Sequence, residues 1–204
     1  MTDKELLTTL LAERSSKKGH FILASGRESE FYIDARLTTM SPEGLSVIGR
    51  LGLSVLRESR WPVDAVGGLT LGADPISYAI SYASADTDRP LRAFTVRKEA
   101  KTHGTGKLIE GPFRPSDRVV VIEDVITTGG SAQRAIEAIR SAGGTVSGVL
   151  AVVDRQEGGR ETLESAGVPV IALANASEII KALEMRGDQA ESLSASSRGK
   201  RPTA

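Results

Sequence analysis

The stretch Val119-Val-Val-Ile-Glu-Asp-Val-Ile-Thr-Thr-Gly-Gly-Ser131 decides how this chain is read. Its apolar run has no polar alternation, which predicts a strand buried on both faces, as in a parallel sheet. Two adjacent carboxylates, Glu123 and Asp124, close that strand; a turn rich in Thr and Gly follows, and a helix begins near Ser131. A helix N-terminus presents unpaired backbone N–H groups and the positive end of the dipole, which suits a phosphate. Gly129 and Gly130 let the backbone approach such a group closely, and Thr127, Thr128 and Ser131 add hydroxyl donors. The acids upstream can accept hydrogen bonds from the vicinal hydroxyls of a sugar. Acid pair and phosphate cradle together describe a ribose 5-phosphate site. The bland reading is a solvated acidic turn before an ordinary helix, but two charges closing so apolar a strand call for a partner. No G-x-x-x-x-G-K-[ST] occurs, so this is not a Walker loop.

Outward from this stretch the pattern alternates. Apolar runs at Val63–Gly67, Arg92–Val96, Val119–Ile122, Val146–Val153 and Val168–Leu173 read as strands, and Ala73–Ala85, Ser131–Ala142 and Arg160–Ala166 as helices between them. Such a succession predicts an α/β fold, a doubly wound, mostly parallel sheet flanked by helices, with ligands at the carboxyl ends of the strands. On the N-terminal side, Leu6, Leu7, Leu10 and Leu11 recur at helical spacing and predict an amphipathic helix that stops before Gly19. FYIDA, within Phe21–Arg36, reads as a strand, and Ser41-Pro42-Glu43 opens a second helix with Ser41 as cap and Pro42 in the first position. Residues 1–186 read as one domain. The segment 187–204 is polar, of low complexity, and expected to be a disordered tail.

Composition excludes several classes. Lys plus Arg and Asp plus Glu both count 26, so no overall field draws the chain to nucleic acid or acidic lipid, and an anionic ligand must be caught by a local cluster. There is no cysteine, hence no disulfide, thiolate metal site or cysteine nucleophile. The N-terminus lacks a signal-peptide apolar region, and no apolar stretch approaches the roughly 20 residues of a membrane helix. A soluble cytoplasmic protein is expected.

A second constellation lies in Val96-Arg-Lys-Glu-Ala-Lys-Thr-His-Gly-Thr-Gly-Lys-Leu-Ile-Glu-Gly111, where Arg97, Lys98, Lys101, His103 and Lys107 crowd into a glycine-bearing segment. Lys98 to Pro115 is long for a connection inside a compact domain, which marks a lid or disorder. A mobile basic flap would neutralise a departing polyanion and shut out water; a solvated surface loop is the alternative. Phe21-Ile-Leu-Ala-Ser-Gly-Arg-Glu-Ser-Glu-Phe-Tyr-Ile-Asp34 and Gly67-Gly-Leu-Thr-Leu-Gly-Ala-Asp-Pro75 are further glycine-bearing segments, and Val152-Val-Asp-Arg155 closes a strand with an Asp-Arg pair.

The Glu123–Ser131 stretch resembles the phosphoribosyl pyrophosphate motif of type I phosphoribosyltransferases, with Glu123 where many members have Asp. The R-K-x-x-K-x-H-G order from Arg97 to Gly104 is similar to the catalytic loop of the orotate phosphoribosyltransferase family, and the Phe21–Asp34 segment to that family's N-terminal signature. These matches span roughly Phe21 to Arg155. Two departures stand out: Ala24 occupies a position where many members carry a phosphate-touching lysine, and Gly67–Pro75 resembles the pyrophosphate-side loop without the lysine some members place there. The resemblance implies a small N-terminal hood over residues 1–40 and transfer of ribose 5-phosphate from phosphoribosyl pyrophosphate to orotate, with Mg²⁺ held mainly by substrate and no metal ligand assigned on the chain. It implies that Glu123 and Asp124 hold the sugar, and that Val125, Ile126, Thr127, Thr128, Gly129, Gly130 and Ser131 hold its phosphate. Arg97, Lys98, Lys101 and His103 meet the pyrophosphate, with Lys101, His103 and Asp124 carrying catalysis. Thr127 and Arg155 meet orotate, Ser25, Gly26 and Tyr32 lie near the base, and a homodimer shares its sites through the basic loop. For Arg155 the plain alternative is a salt bridge with Asp154. A purine or other nucleobase transferase and a non-catalytic regulator of the same fold are the rival readings. His20 and Trp61 are read as outside the site.

Overall fold

The structure, a computed structural model, describes residues 1–22, 28–99 and 107–186. The expected lid residues Lys101 and His103, the signature residues Ser25 and Gly26, and the tail at 187–204 lie outside the described residues.

Five strands form a parallel set: β3 (Ala65–Leu69), β4 (Arg92–Val96), β6 (Arg118–Ile126), β7 (Thr145–Asp154) and β8 (Val170–Asn175). A two-residue strand, β5 (Ile109–Glu110), pairs antiparallel with β4, giving the order β5-β4-β3-β6-β7-β8. α4 (Ala73–Ser84) follows β3, α5 (Gly130–Ser141) follows β6, and α6 (Gly159–Ser165) follows β7. The doubly wound, mostly parallel sheet is thus observed. β5 falls inside what reads from sequence as a structureless connection, and β3 begins two residues later than its apolar run suggests.

Pleating divides the core in two. Val120 and Ile122 of β6 face a layer that includes Leu7 and Leu11 of α1 (Asp3–Leu10) and the turn after it, Val47 and Ile48 of α3 (Pro42–Glu58), and Ile76 and Ile80 of α4. Val119 and Val121 face the other layer, with Ala135 and Ile139 of α5 and Leu163 of α6. Each fully buried aliphatic side chain contributes about 1.5–3 kcal/mol relative to exposure, so β6, apolar on both faces, anchors the sheet and fixes what lies at its end.

At the N-terminus Thr2 caps α1 with a reciprocal capping box to Glu5. The helix does not run on towards Gly19 as its leucines suggest. It passes through a π turn (Leu11–Ser15) into β1 (Ser16–Ile22), which contains Gly19 and pairs antiparallel with β2 (Glu28–Ile33), the strand carrying Phe31-Tyr-Ile33. α2 (Arg36–Thr39) then leads to α3, whose Ser41 cap accepts from the Gly44 N–H at 3.1 Å with Pro42 at the start, as read from sequence. A final helix, α7, covers residues 176–186 and buries Ile179 against the first layer. Trp61 packs over Gly148, where a Cβ would stand 2.5 Å from its ring, which agrees with a packing role. No helix among the described residues is long and apolar enough to cross a membrane.

Candidate active site

Chain direction across the sheet reverses between β3 and β6: β4 lies beyond β3 on one side, β7 and β8 beyond β6 on the other. The loops leaving the carboxyl ends of these two neighbours splay apart there, which is where doubly wound sheets bind ligands. A pocket of about 220 Å³ lies between them. Thr70, Leu71 and Gly72 line one wall and Glu123, Asp124 and Ser131 the other, with Arg36, Lys98 and Arg134 supplying cations.

The two acids do not stand side by side. Successive strand residues point to opposite faces, so Glu123 follows Val119 and Val121 towards the α5 layer, and Asp124 follows Val120 and Ile122 towards α4. Asp124 accordingly packs on Gly72, where a Cβ would lie 2.5 Å from its carboxylate; only glycine leaves room for that group. One Asp124 oxygen accepts from the Val125 N–H at 2.8 Å. Burial raises its pKa, opposed by that backbone donor and by Arg36. Glu123 is only 6% exposed, and among the described residues its Oε1 has no hydrogen-bond partner. Burial, reinforced by the Asp124 charge and opposed by Arg134, pushes its pKa up to about 8.

The turn that the sequence marks as a phosphate cradle leads directly into α5. Gly129 adopts φ +85 as the N-cap of α5, a left-handed conformation that favours glycine, and among the described residues no side chain caps the helix. The first N–H groups of α5 therefore remain available to an anion. Thr127, Thr128 and Gly130 are exposed around this turn and Ser131 is half-buried. Underneath, α6 supports it: a Cβ on Gly159 would lie 2.4 Å from the Thr127 carbonyl oxygen and 2.7 Å from the Gly129 nitrogen. Gly159→Ala is expected to lower stability by about 1–3 kcal/mol through overpacking, read as a lower midpoint in urea denaturation; an unchanged midpoint would mean that the turn yields freely.

The wall on the β3 side is built by hydrogen bonds. Asp74 accepts from the Thr70 hydroxyl at 2.7 Å and the Thr95 hydroxyl at 2.8 Å, tying the turn after β3 to β4. The Thr70–Leu71 peptide is cis. Arg97 leaves β4 with its N–H donating to Leu108 at 2.8 Å and its guanidinium 3.7 Å from Glu110, away from the pocket lining, whereas Lys98 lines the pocket of its own chain. Arg155 sits at the end of β7, one strand beyond the acids; its N–H donates to Ile126 at 2.9 Å. Its guanidinium is paired at 2.9 Å with Glu157, not with Asp154, and its side chain is 8% exposed. Asp154 instead accepts from the Gln156 N–H. His20 is exposed on β1, 3.9 Å from Glu28, and Tyr32 stacks near Phe21.

Two pocket residues escape the sequence reading. Arg134 lies one helical turn after Ser131 and so shares its face of α5, a spacing that could have found it. Arg36 follows FYIDA by one residue; it is held by Asp34 at 2.8 and 3.0 Å, and its charge reaches Asp124. A larger groove, of about 1210 Å³, lies by the amino ends of β3, β4 and β6, lined by Arg57, Trp61 and Arg89 among others. Two of its arginines are committed: Arg118 to Asp64 at 2.7 Å and Arg92 to Asp117 at 2.6 Å. In the smaller pocket, by contrast, helix N-termini, acids and cations converge.

A doubly wound sheet with an acid pair before a glycine-led, uncapped helix at its switch point defines a type I phosphoribosyltransferase. No protein-family model matches the chain. It is 46% identical to the orotate phosphoribosyltransferase of Aquifex aeolicus, over 88% of this chain and 99% of that protein. A crystal structure of Mycobacterium tuberculosis orotate phosphoribosyltransferase matches at 40% identity and a TM-score of 0.76, covering 87% of this chain and 98% of that one. The same enzyme in complex with 5-phospho-α-D-ribosyl 1-diphosphate matches at 37% identity and a TM-score of 0.72, with the same coverage. The chain belongs to the orotate phosphoribosyltransferase family, enzymes of the pentosyltransferase class.

Proposed function

We propose that this chain transfers ribose 5-phosphate from phosphoribosyl pyrophosphate to orotate in a Mg²⁺-dependent reaction, giving orotidine 5′-monophosphate and pyrophosphate for pyrimidine nucleotide synthesis in the cytoplasm. The observation that carries this reading is one pocket in which an acid pair, an uncapped helix N-terminus and unlike cations face each other. Residues 1–186 act as one catalytic domain, with 1–40 as its hood.

In this mechanism a bond forms between the orotate ring nitrogen and C1 of the ribose while the bond from C1 to pyrophosphate oxygen breaks. The chain supplies no nucleophile; it positions the partners and stabilises charge. The α5 N-terminus, from Val125 through Ser131, seats the 5-phosphate. Asp124, kept in place by Gly72, and Glu123 receive the ribose hydroxyls. Lys98 meets the pyrophosphate within its own subunit, and Arg97, Lys101 and His103 complete that charge. Mg²⁺ held mainly by substrate oxygens would supply charge neutralisation to the departing pyrophosphate. Orotate lies against Thr127 and the region of Arg155, whose forked guanidinium suits a carboxylate. The functional unit is a homodimer with shared sites.

The direct test incubates the protein with Mg²⁺, phosphoribosyl pyrophosphate and each of orotate, uracil, adenine and guanine. Loss of orotate absorbance is expected; consumption of a purine instead would overturn the assignment of the base. Arg155→Ala is expected to raise the KM for orotate about tenfold or more, the loss of a charged hydrogen bond of about 1.5–3 kcal/mol, with little change for phosphoribosyl pyrophosphate. Equal movement of both constants would make Arg155 a structural partner of Glu157.

A further inference from the structure

The acids at the end of β6 occupy unequal environments. Asp124 has a backbone donor at 2.8 Å and lies within reach of the Arg36 charge. Glu123 has neither a donor on Oε1 nor an ion pair among the described residues, yet it is 6% exposed and lines the pocket. Isolating an unpaired carboxylate from water costs several kcal/mol, and such a group takes up a proton instead. We propose that the acid pair is divided: Asp124 enters the reaction as the charged acceptor, and Glu123 as a neutral carboxylic acid that both donates to and accepts from the sugar. This rests on the ribose-phosphate reading of the site.

The charged surroundings of Glu123 support the division. On its own strand Asp124 adds negative charge; from α5 Arg134 opposes it; Lys98, after β4, and Arg36, on α2, line the far side of the pocket. Its partner on β7 is Ala151, which carries no charge. Arg134 is exposed and makes no ion pair among the described residues, so its effect reaches Glu123 largely through solvent. The incoming ligand is a polyanion, and its arrival favours the neutral form further. Binding and protonation of Glu123 are therefore linked. The sign follows: the binding-competent form is the protonated one, so affinity is full below the Glu123 pKa and falls as pH rises through it. With burial holding that value at about 8, affinity weakens about tenfold from pH 7 to pH 9.

The test is titration of the full chain with phosphoribosyl pyrophosphate and Mg²⁺ between pH 7 and pH 9, followed calorimetrically. Wild type is expected to lose about tenfold in affinity across this window. Glu123→Gln is expected to lose that dependence, and Asp124→Asn to keep it, whatever their affinities at pH 7. A flat or rising wild-type profile, or an unchanged slope in Glu123→Gln, would overturn the division of the pair. Infrared difference spectra of wild type between pH 7 and pH 9 supply a readout that needs no variant: a protonated-carboxyl C=O band should disappear on raising the pH, and its absence at pH 7 would equally overturn the proposal. Failure to bind phosphoribosyl pyrophosphate at any pH, with the carboxyl band present, would strike the ribose-phosphate reading instead.

Discussion

Asp124→Asn is expected to cut turnover on the order of 10²–10³-fold, the cost typical of removing one preorganised electrostatic contact at a reacting centre, while leaving the fold in place. The substitution keeps the side chain's size, so the contact with Gly72 survives, and the strand beneath it is held by apolar packing on both faces. What changes is the charge proposed to face the ribose hydroxyls. Relief of a buried charge also means that Asp124→Asn should be as stable as wild type or more so. Steady-state kinetics beside a denaturation curve checks both halves. Near-normal kcat in a well-folded variant would remove Asp124 from the chemistry and leave it as a spacer against Gly72.

The second large effect concerns the basic segment after Lys98. Lys98 lines the pocket of its own chain, and Lys101 and His103 are proposed to serve the partner's. Lys101→Ala and Asp124→Asn are each expected to be nearly inactive. Refolded as a mixture, about half the dimers should pair one of each by random assortment. If the segment acts across the dimer, each mixed dimer holds one site with both lesions and one with none, and activity returns to about a quarter of wild type. If it acts within its own subunit, every site keeps one lesion and nothing returns. A mixture no more active than its parents, with mixed dimers demonstrated by mass spectrometry, would return Lys101 to its own chain.

What could be read from the residues divides along physical lines. β6 and α5 were legible because a doubly buried strand needs an unbroken apolar run and because acids at its end have no structural reason to be there. α3 was legible from Ser41 and Pro42, whose chemistry is local. β1 was not: Lys17, Lys18, Gly19 and His20 are exposed on a hairpin strand, so no hydrophobic period marks it, and the leucines before it extend the helical reading too far. α7 repeats Ile179, Ile180 and Leu183 at helical spacing, yet its packing depends on a face of the first layer that only the fold assembles. In the site, the residues that form one local motif were visible, whereas Arg36 reaches the pocket across the chain and bears no mark of doing so. Arg155, just past the end of β7, pairs with Glu157 rather than with its neighbour Asp154, which accepts instead from the Gln156 N–H.

The alternation of faces along β6 has a consequence for how such an enzyme can change. Glu123 is set by the packing of α5 and α6, and Asp124 by that of α3 and α4, with a shared backbone but separate interiors. Repacking around Ile136 would move the environment of one acid and leave the other almost untouched, and repacking around Ile76 would do the reverse. The surroundings of the two carboxylates can thus drift apart or be adjusted independently through residues that do not line the pocket.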